Sequence, residues 1–164
     1  MGFLSNLFGY SEPPKDDPFS QLRYDVPYGW SGEVLDTEDG AGILLLAPDI
    51  EANWQANIFV EVRVDLEHRK LADSLDDLVP NLRANKPDFR LISTDIFWNR
   101  NDVEIGRIEY SGDSEGTALT EWELVIPFDS EFKFFIMASA ATECWPKYRH
   151  VFLKFAESVD FREE

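Results

Sequence analysis

The segment Trp145–Phe161 constrains the fold more than any other part of the sequence, because it carries an amphipathic pattern that needs a surface to dock on. Its apolar residues recur at the helical period of 3.6 and form one stripe: Tyr148, Val151, Phe152, Phe155 and Val159. Pro146 suits the first turn of a helix. The apolar run 132–140 just before it predicts a strand that supplies the surface. The sequence therefore predicts a helix packed on a sheet.

The middle of the chain predicts further strands. In 58–66, apolar residues alternate with Phe59, Glu61, Arg63 and Asp65, which is the pattern of a half-buried antiparallel strand. The continuous apolar runs 43–47 and 132–137 predict strands that are covered on both faces, the second of them central in the sheet. A short first strand is expected from Leu22 to Val26, and the acidic segment from Gly32 to Gly42 is expected to be a loop.

One more helix and two hairpins complete the predicted elements. Helical spacing from Leu71 to about Asn85 predicts a helix that Pro80 should kink or split. Strands 91–98 and 103–110 flank the turn 99–102, and strands 118–126 and 132–140 flank 127–131, with a polar turn at 111–116. The predicted fold is an α+β domain in which an antiparallel β-sheet of about six to seven strands is sandwiched by helices.

The chain of 164 residues is long enough for one domain with its own core. We expect this domain to span 19–164, preceded by an apolar segment and a proline-rich acidic linker in residues 1–18. The apolar residues of that segment could dock on the domain itself, on a partner or on a membrane: Phe3, Leu4, Leu7 and Phe8. No Lys or Arg accompanies them before Lys15, which disfavours the membrane.

Charge and cysteine content limit the partners and the compartment. The sequence has 32 acidic and 15 basic residues, a net charge of −17. Such a chain repels nucleic acid and anionic lipid surfaces, although the charge also serves solubility. Cys144 is the single cysteine, so no disulfide forms within the chain. Without an export-signal pattern or a run of about 20 apolar residues, we expect a cytoplasmic protein with no membrane insertion.

Catalytic patterns are weak, so we expect no enzyme, no cofactor and no metal. Neither His68 nor His150 lies at a metal-ligand spacing from Cys144 or from the other histidine. Cys144 and His150 are a nucleophile and a base by residue type, but six residues of separation do not establish the hydrogen bond that activates a thiolate. The glycines form no phosphate-binding loop that opens a helix.

Recognition of another protein is the remaining chemistry, and aromatic and aliphatic residues are its candidates. Trp54 is flanked by polar residues and is the tryptophan expected to be most exposed, whereas Trp30 and Trp145 are expected to cap the core. The predicted partner-binding residues are Trp54, Trp98, Trp122, Phe59, Ile43 and Leu45.

A family resemblance accompanies these patterns. The segment Tyr24-Asp-Val-Pro-Tyr-Gly-Trp30 resembles the opening motif of Mog/PsbP-like proteins, and 106–110 resembles a glycine-bearing strand of that family. The last helix resembles the family's closing helix through four residues: Phe152, Phe155, Ser158 and Phe161. The resemblance covers about 19–161 in element order and implies the family's α+β fold.

The resemblance also implies a protein-binding function. Relatives include a nuclear GTPase-binding factor, lumenal photosystem subunits and bacterial cytosolic proteins that resemble the effector-associated chaperones of type VI secretion. The last group implies a non-enzymatic adaptor or chaperone that shelters an apolar segment of a partner, such as a secreted effector with apolar helices, and that can form a homodimer. The alternative is an acidic immunity-type inhibitor of a basic toxin or nuclease, whose binding would weaken with salt.

Overall fold

The computed structural model describes residues 18–37, 40–65 and 67–161. Predictions about the segment before residue 18 lie outside these residues. The described residues contain two helices, α1 (Leu71–Asn85) and α2 (Trp145–Ser158), with 3₁₀ turns at Pro18–Gln21 and Thr142–Cys144. The strands are β1 (Leu22–Arg23), β2 (Ser31–Thr37), β3 (Gly40–Glu51), β4 (Trp54–Val64), β5 (Arg90–Trp98), β6 (Glu104–Ser114), β7 (Thr117–Pro127), β8 (Phe132–Ala141) and β9 (Asp160–Phe161).

Seven strands form one antiparallel sheet in the order β2-β3-β4-β8-β7-β6-β5, and β1 pairs with β9 in a second, two-stranded sheet. β8 is the fourth of the seven strands, which confirms the prediction that the apolar run in 132–137 is central. Among the described strands, β2 and β5 have a neighbour on one side only, so they form the edges of the sheet. The predicted α+β fold with an antiparallel sheet is confirmed.

The main core lies between the sheet and α2. Phe152 and Phe155 on the apolar stripe of α2 are buried, together with Tyr148, Ala156 and Val159. They pack with inward-facing residues of the central strands, including Ile58 of β4, Phe134 of β8 and Trp122 of β7. Trp30 and Trp145 are half-buried and pack against this cluster, so they cap the core as predicted.

Helix α1 covers part of the opposite face. It contacts β5, β6 and β7, where Leu71, Leu75 and Leu82 join a second apolar cluster with Ile108 and Tyr110. The ammonium of Lys133 on β8 fixes the first turn of α1, because it donates to Ser74 Oγ at 2.9 Å, to the Arg69 carbonyl at 2.8 Å and to the Asp65 carboxylate. The half of this face formed by β2, β3 and β4 makes no comparable contact with either helix.

Pro80 does not split α1, which contradicts the part of the sequence-based expectation that placed a break at that point. The helix runs without interruption from Leu71 to Asn85, with Pro80 on its exposed side. Because the proline has no N–H, it leaves the carbonyl of Asp76 without its usual helical partner. Asp76 is also exposed, so water can satisfy that carbonyl while Leu75 and Leu82 hold the two halves of the helix on the sheet.

The segment from Gly32 to Gly42 is not a loop, which corrects the sequence-based expectation. Its described residues, 32–37 and 40–42, lie in β2 and at the start of β3, and the two strands pair from Ser31 to Thr37 of β2. The edge strand was hard to recognise because only Val34 and Leu35 are large apolar residues in it. The Asp39-Gly40 dipeptide in the sequence is a hairpin signal that could have revealed it.

Other predicted boundaries also differ from the structure: the last helix ends at Ser158 and Phe161 belongs to β9, while β3 and β4 are longer than the runs 43–47 and 58–66 predicted. The first strand ends at Arg23 and does not reach Val26. The predicted polar turn at 111–116 is shorter, because β6 continues to Ser114 and β7 begins at Thr117. Glu115 and Gly116 alone connect them, and both have positive φ, at 51° and 86°, as a two-residue hairpin turn requires.

Candidate partner-binding surface

Exposed apolar side chains are concentrated on the edge strand β5. Of the seven large apolar side chains that are exposed in the described part of the chain, four belong to this strand. We call them the β5 surface: Leu91, Ile92, Ile96 and Trp98. Trp98 is the most exposed of the four, at 63 %. A row of apolar side chains beside an unpaired strand edge is unusual in a monomer and typical of an interaction site.

The register of β5 explains which of its side chains turn outward. Ile96 lies opposite Gly106, and a Cβ atom at Gly106 would be 3.0 Å from Leu71 and from Leu75, so this row is on the α1 side of the sheet. Trp98 follows two residues later on the same side. A β-bulge between Leu91 and Ser93 adds Ile92 to the strand.

The opposite side of β5 is anchored to the sheet. Arg107 on β6 donates two hydrogen bonds to the carboxylate of Asp95, at 2.9 and 2.7 Å. The same guanidinium lies 4.6 Å from the ring centre of Phe97 and 4.7 Å from that of Trp122. These contacts fix the strand, so the β5 surface is presented on an ordered backbone.

Three of the six predicted partner-binding residues are in the core. Ile43, Leu45 and Trp122 are all at most 2 % exposed, so a partner could not touch them unless α2 left the sheet. Trp122 also donates its indole N–H to Glu109 at 2.7 Å. The expectation that these side chains are presented at the surface is wrong, because their strands lie inside the sheet and these side chains point towards α2.

Phe59 and Trp54 lie on the other face and are half-buried. Phe59 stands in a row with Leu44 and Met137, also half-buried, in the part of the sheet next to α1. The apolar run that begins at Ile43 is therefore fully buried on one face only. Trp54 is not the most exposed tryptophan, since its indole N–H donates to Ser139 Oγ at 2.8 Å. Trp98 takes that place.

Sequence reasoning missed the other three members of the β5 surface. Leu91, Ile92 and Ile96 were assigned to a strand, but nothing identified that strand as an edge. A mixed run such as Leu91-Ile-Ser-Thr-Asp-Ile-Phe-Trp98, which does not alternate strictly, was the available signal. The strand order, which depends on non-local pairing, was needed to turn it into a surface.

A buried carboxylic acid lies where α1 meets the uncovered half of the sheet. Glu123 on β7 is opposite Met137, and its Oε2 has no hydrogen-bond partner among the described residues. Burial raises the pKa of Glu123 to about 8, with Glu61 and Glu121 contributing in the same direction and Arg63 and Lys86 opposing them. The side chain is therefore mostly protonated at neutral pH.

Cys144 and His150 are not paired in the structure. No hydrogen bond joins them in the described ranges, and burial with the neighbouring Glu51 raises the pKa of the Cys144 thiol, the opposite of nucleophile activation. The described residues also contain no group of three His, Cys, Asp or Glu residues placed to hold a metal ion. None of the helices in these ranges has the length and apolarity to cross a bilayer.

Comparison with known proteins identifies the fold but not a family. No protein-family profile matches the chain, and no curated protein is significantly similar to it in sequence. Among solved structures, PA94 from Pseudomonas aeruginosa, a protein of unknown function, has a TM-score of 0.64 at 10 % identity, over 81 % of this chain and 99 % of its own. LpqN of Mycobacterium tuberculosis, involved in cell envelope biogenesis, has a TM-score of 0.63 at 16 % identity, over 99 % and 98 % of the two chains.

A third solved structure, from a cyanobacterium, has a similar architecture. Cyanobacterial PsbP (CyanoP) from Synechocystis sp. PCC 6803 superposes with a TM-score of 0.57 at 13 % identity, over 93 % of this chain and 98 % of its own. At such identities the likeness concerns the fold alone. The chain has the α+β fold of PsbP-like proteins, in agreement with the resemblance found in its sequence.

Proposed function

We propose that the protein is a non-enzymatic adaptor or chaperone that binds an apolar, extended segment of another protein along β5. The observation that supports this most directly is the concentration of four exposed apolar side chains on one edge strand. A partner strand would pair with the free backbone groups of β5, while its side chains cover Ile96 and Trp98. Burying these side chains supplies affinity, because apolar area is removed from water.

The charges around β5 favour an apolar partner over a basic one. Within the strand, Arg90 and Asp95 are the charged residues, and Asp95 is occupied by Arg107. The strand therefore contributes little net charge in a chain of net charge −17. The acidic inhibitor remains the second candidate because exposed carboxylates lie on the other edge of the sheet, at Glu33 and Asp36 of β2.

A photo-crosslinking experiment tests the β5 proposal. A benzophenone amino acid at position 98 should trap a discrete partner in cell extract, whereas the same group at Tyr28, which is fully exposed elsewhere, should not. Ile96→Asp should lower the yield by about tenfold, since a charge would be buried in the contact. Ile50→Asp is the matched control, because Ile50 is an equally apolar and even more exposed residue on another strand.

Salt separates the two candidate functions. Crosslinking through position 98 should persist at 1 M NaCl, where the Debye length is about 3 Å. Loss of the partner at high salt, together with capture through β2 instead of β5, would support the inhibitor. Equal yields for Ile96→Asp and Ile50→Asp would overturn the proposal. A crosslink between two copies of this chain would assign the β5 surface to a dimer instead.

A further inference from the structure

A groove of about 660 Å³ lies between α2 and the segment 25–30. None of the residues that line it belongs to β5, so it is separate from the β5 surface. Its volume is in the range of pockets that hold small organic molecules, about 300–1,000 Å³.

The groove is held open by contacts at both of its sides. The backbone N–H of Asp25 donates to Ser158 Oγ at 2.9 Å, and that of Trp30 donates to the Pro27 carbonyl at 3.1 Å. Gly29 makes this turn possible with φ of 81°. The ring of Trp30 packs edge-on against Phe152 of α2, with 6.3 Å between the ring centres. The groove is therefore a preformed feature of the fold.

The lining of the groove combines apolar side chains with basic ones. Val26, Trp30 and Phe155 contribute apolar surface. His150 and Lys154, one helical turn apart on α2, also line it and are exposed, and neither forms an ion pair in the described part of the chain.

Both acidic side chains of the groove, Asp25 and Glu157, contact Arg100. Asp25 lies 3.9 Å from the guanidinium of Arg100, and Glu157 accepts a hydrogen bond from the Arg100 backbone N–H at 2.8 Å. Within the described part of the chain, Lys154 itself has no acidic side chain within ion-pair distance. A ligand with an apolar body and one carboxylate would bury its apolar body in the groove and pair its carboxylate with Lys154.

We propose that this groove binds a small amphipathic carboxylate, an alkyl or aryl acid. The apolar body would lie against Val26, Trp30 and Phe155, and the carboxylate would pair with Lys154, assisted by His150. An alcohol of the same chain length would lose the charge-assisted bond, and a quaternary ammonium would be repelled by Lys154.

Titration with three octyl probes tests this assignment in the full chain. Octanoate and octyltrimethylammonium are added separately below their micelle concentrations, and 1-octanol below its solubility limit; binding is followed by ¹H–¹⁵N NMR. We expect octanoate to give saturable shifts at 25–30 and 150–157 and to bind about tenfold more tightly than octanol. Absence of saturable shifts in these two segments, or equal affinity for acid and alcohol, would overturn the proposal.

Two charge reversals on α2 complete the test. Lys154→Glu should remove the preference for octanoate over octanol, with octanol binding unchanged. Lys147→Glu is the matched control, because Lys147 is on the same helix, outside the groove, and is paired with Glu51 at 2.5 Å. Both side chains are exposed, so both variants should fold. An equal loss in the two variants would show a general charge effect and would refute the site.

Discussion

Replacing Glu123 with glutamine should remove a pH-dependent penalty from the folded state. Burial raises the pKa of Glu123 from its ordinary value of 4.5 to about 8. Below pH 4.5 the group is protonated in both the folded and the unfolded chain. Between these values the unfolded chain has released the proton and the folded chain retains it. The free energy of unfolding therefore falls as the pH rises through this window, and the penalty is constant above it.

The size of the effect follows from the shift. Each unit of pKa difference corresponds to about 1.4 kcal/mol, so the penalty should grow by roughly 2 to 3 kcal/mol between pH 5 and pH 7. Glutamine has no proton to release in this range, and Glu123→Gln should lack that contribution. The amide brings a constant cost or gain of its own, because it too is buried, but this does not vary with pH.

Urea unfolding at pH 5, 6, 7, 8 and 9 measures the effect, provided that unfolding is reversible and two-state. The informative quantity is the free energy of unfolding of Glu123→Gln minus that of the unchanged protein, since all other titrating groups cancel. This difference should rise with pH up to about 8 and then level off. Glu33→Gln, which replaces an exposed carboxylate on β2 by the same amide, is the control for the substitution itself. A flat line for Glu123→Gln would refute the reasoning and show that Arg63 and Lys86 stabilise the ionised form.

Three further substitutions test the packing of the two helices and the contact between Gly42 and Phe59. Lys133→Met should lower the free energy of unfolding in urea by about 3–5 kcal/mol, because it leaves the buried Asp65 carboxylate without its ammonium. Adding Asp65→Leu should recover much of this loss, and additive losses from the two substitutions would contradict the coupling. Asn99→Ala should lower the free energy of unfolding by about 3 kcal/mol and speed amide exchange at the end of α2. The reason is that the Asn99 side chain donates to the carbonyls of Ala156 and Val159 and accepts from two backbone N–H groups. Unchanged amide exchange would contradict this prediction. Gly42→Ala should lower the free energy of unfolding by about 1–3 kcal/mol and shift the NMR signals of the Phe59 ring, because a Cβ at Gly42 would come within 2.4 Å of that ring. An unshifted spectrum would show that the ring is elsewhere.

Local periodicity predicted the elements that face one covered layer. The alternation in 58–66 and the helical stripe of 148–159 both describe a segment with one buried side. The structure forms a strand and a helix there, with bounds of Trp54–Val64 and Trp145–Ser158. The turn 99–102 was also predicted, because strands with apolar patterns flank a short polar connection. These features depend on residues that are close in sequence.

Coverage of each face could not be predicted in the same way. The runs 43–47 and 118–126 have apolar residues on both sides, so their sequence does not say which side a helix will cover. The structure places Ile43 and Trp122 under α2 and leaves Leu44 half-buried on the other face. Pro80 illustrates the same limit, since its effect depended on whether the broken hydrogen bond faced water or the sheet.

Local pattern and composition were sufficient to predict the α+β class, the two helices, most of the strands and the acidic surface. The strand order is seen only in the folded structure, where β5 is an edge and its four apolar side chains are exposed together. The groove is likewise seen only there, because its two walls, 25–30 and 150–157, are more than a hundred residues apart in the chain. Both surfaces arise from contacts between segments distant in sequence, and no local pattern encodes which segments will meet.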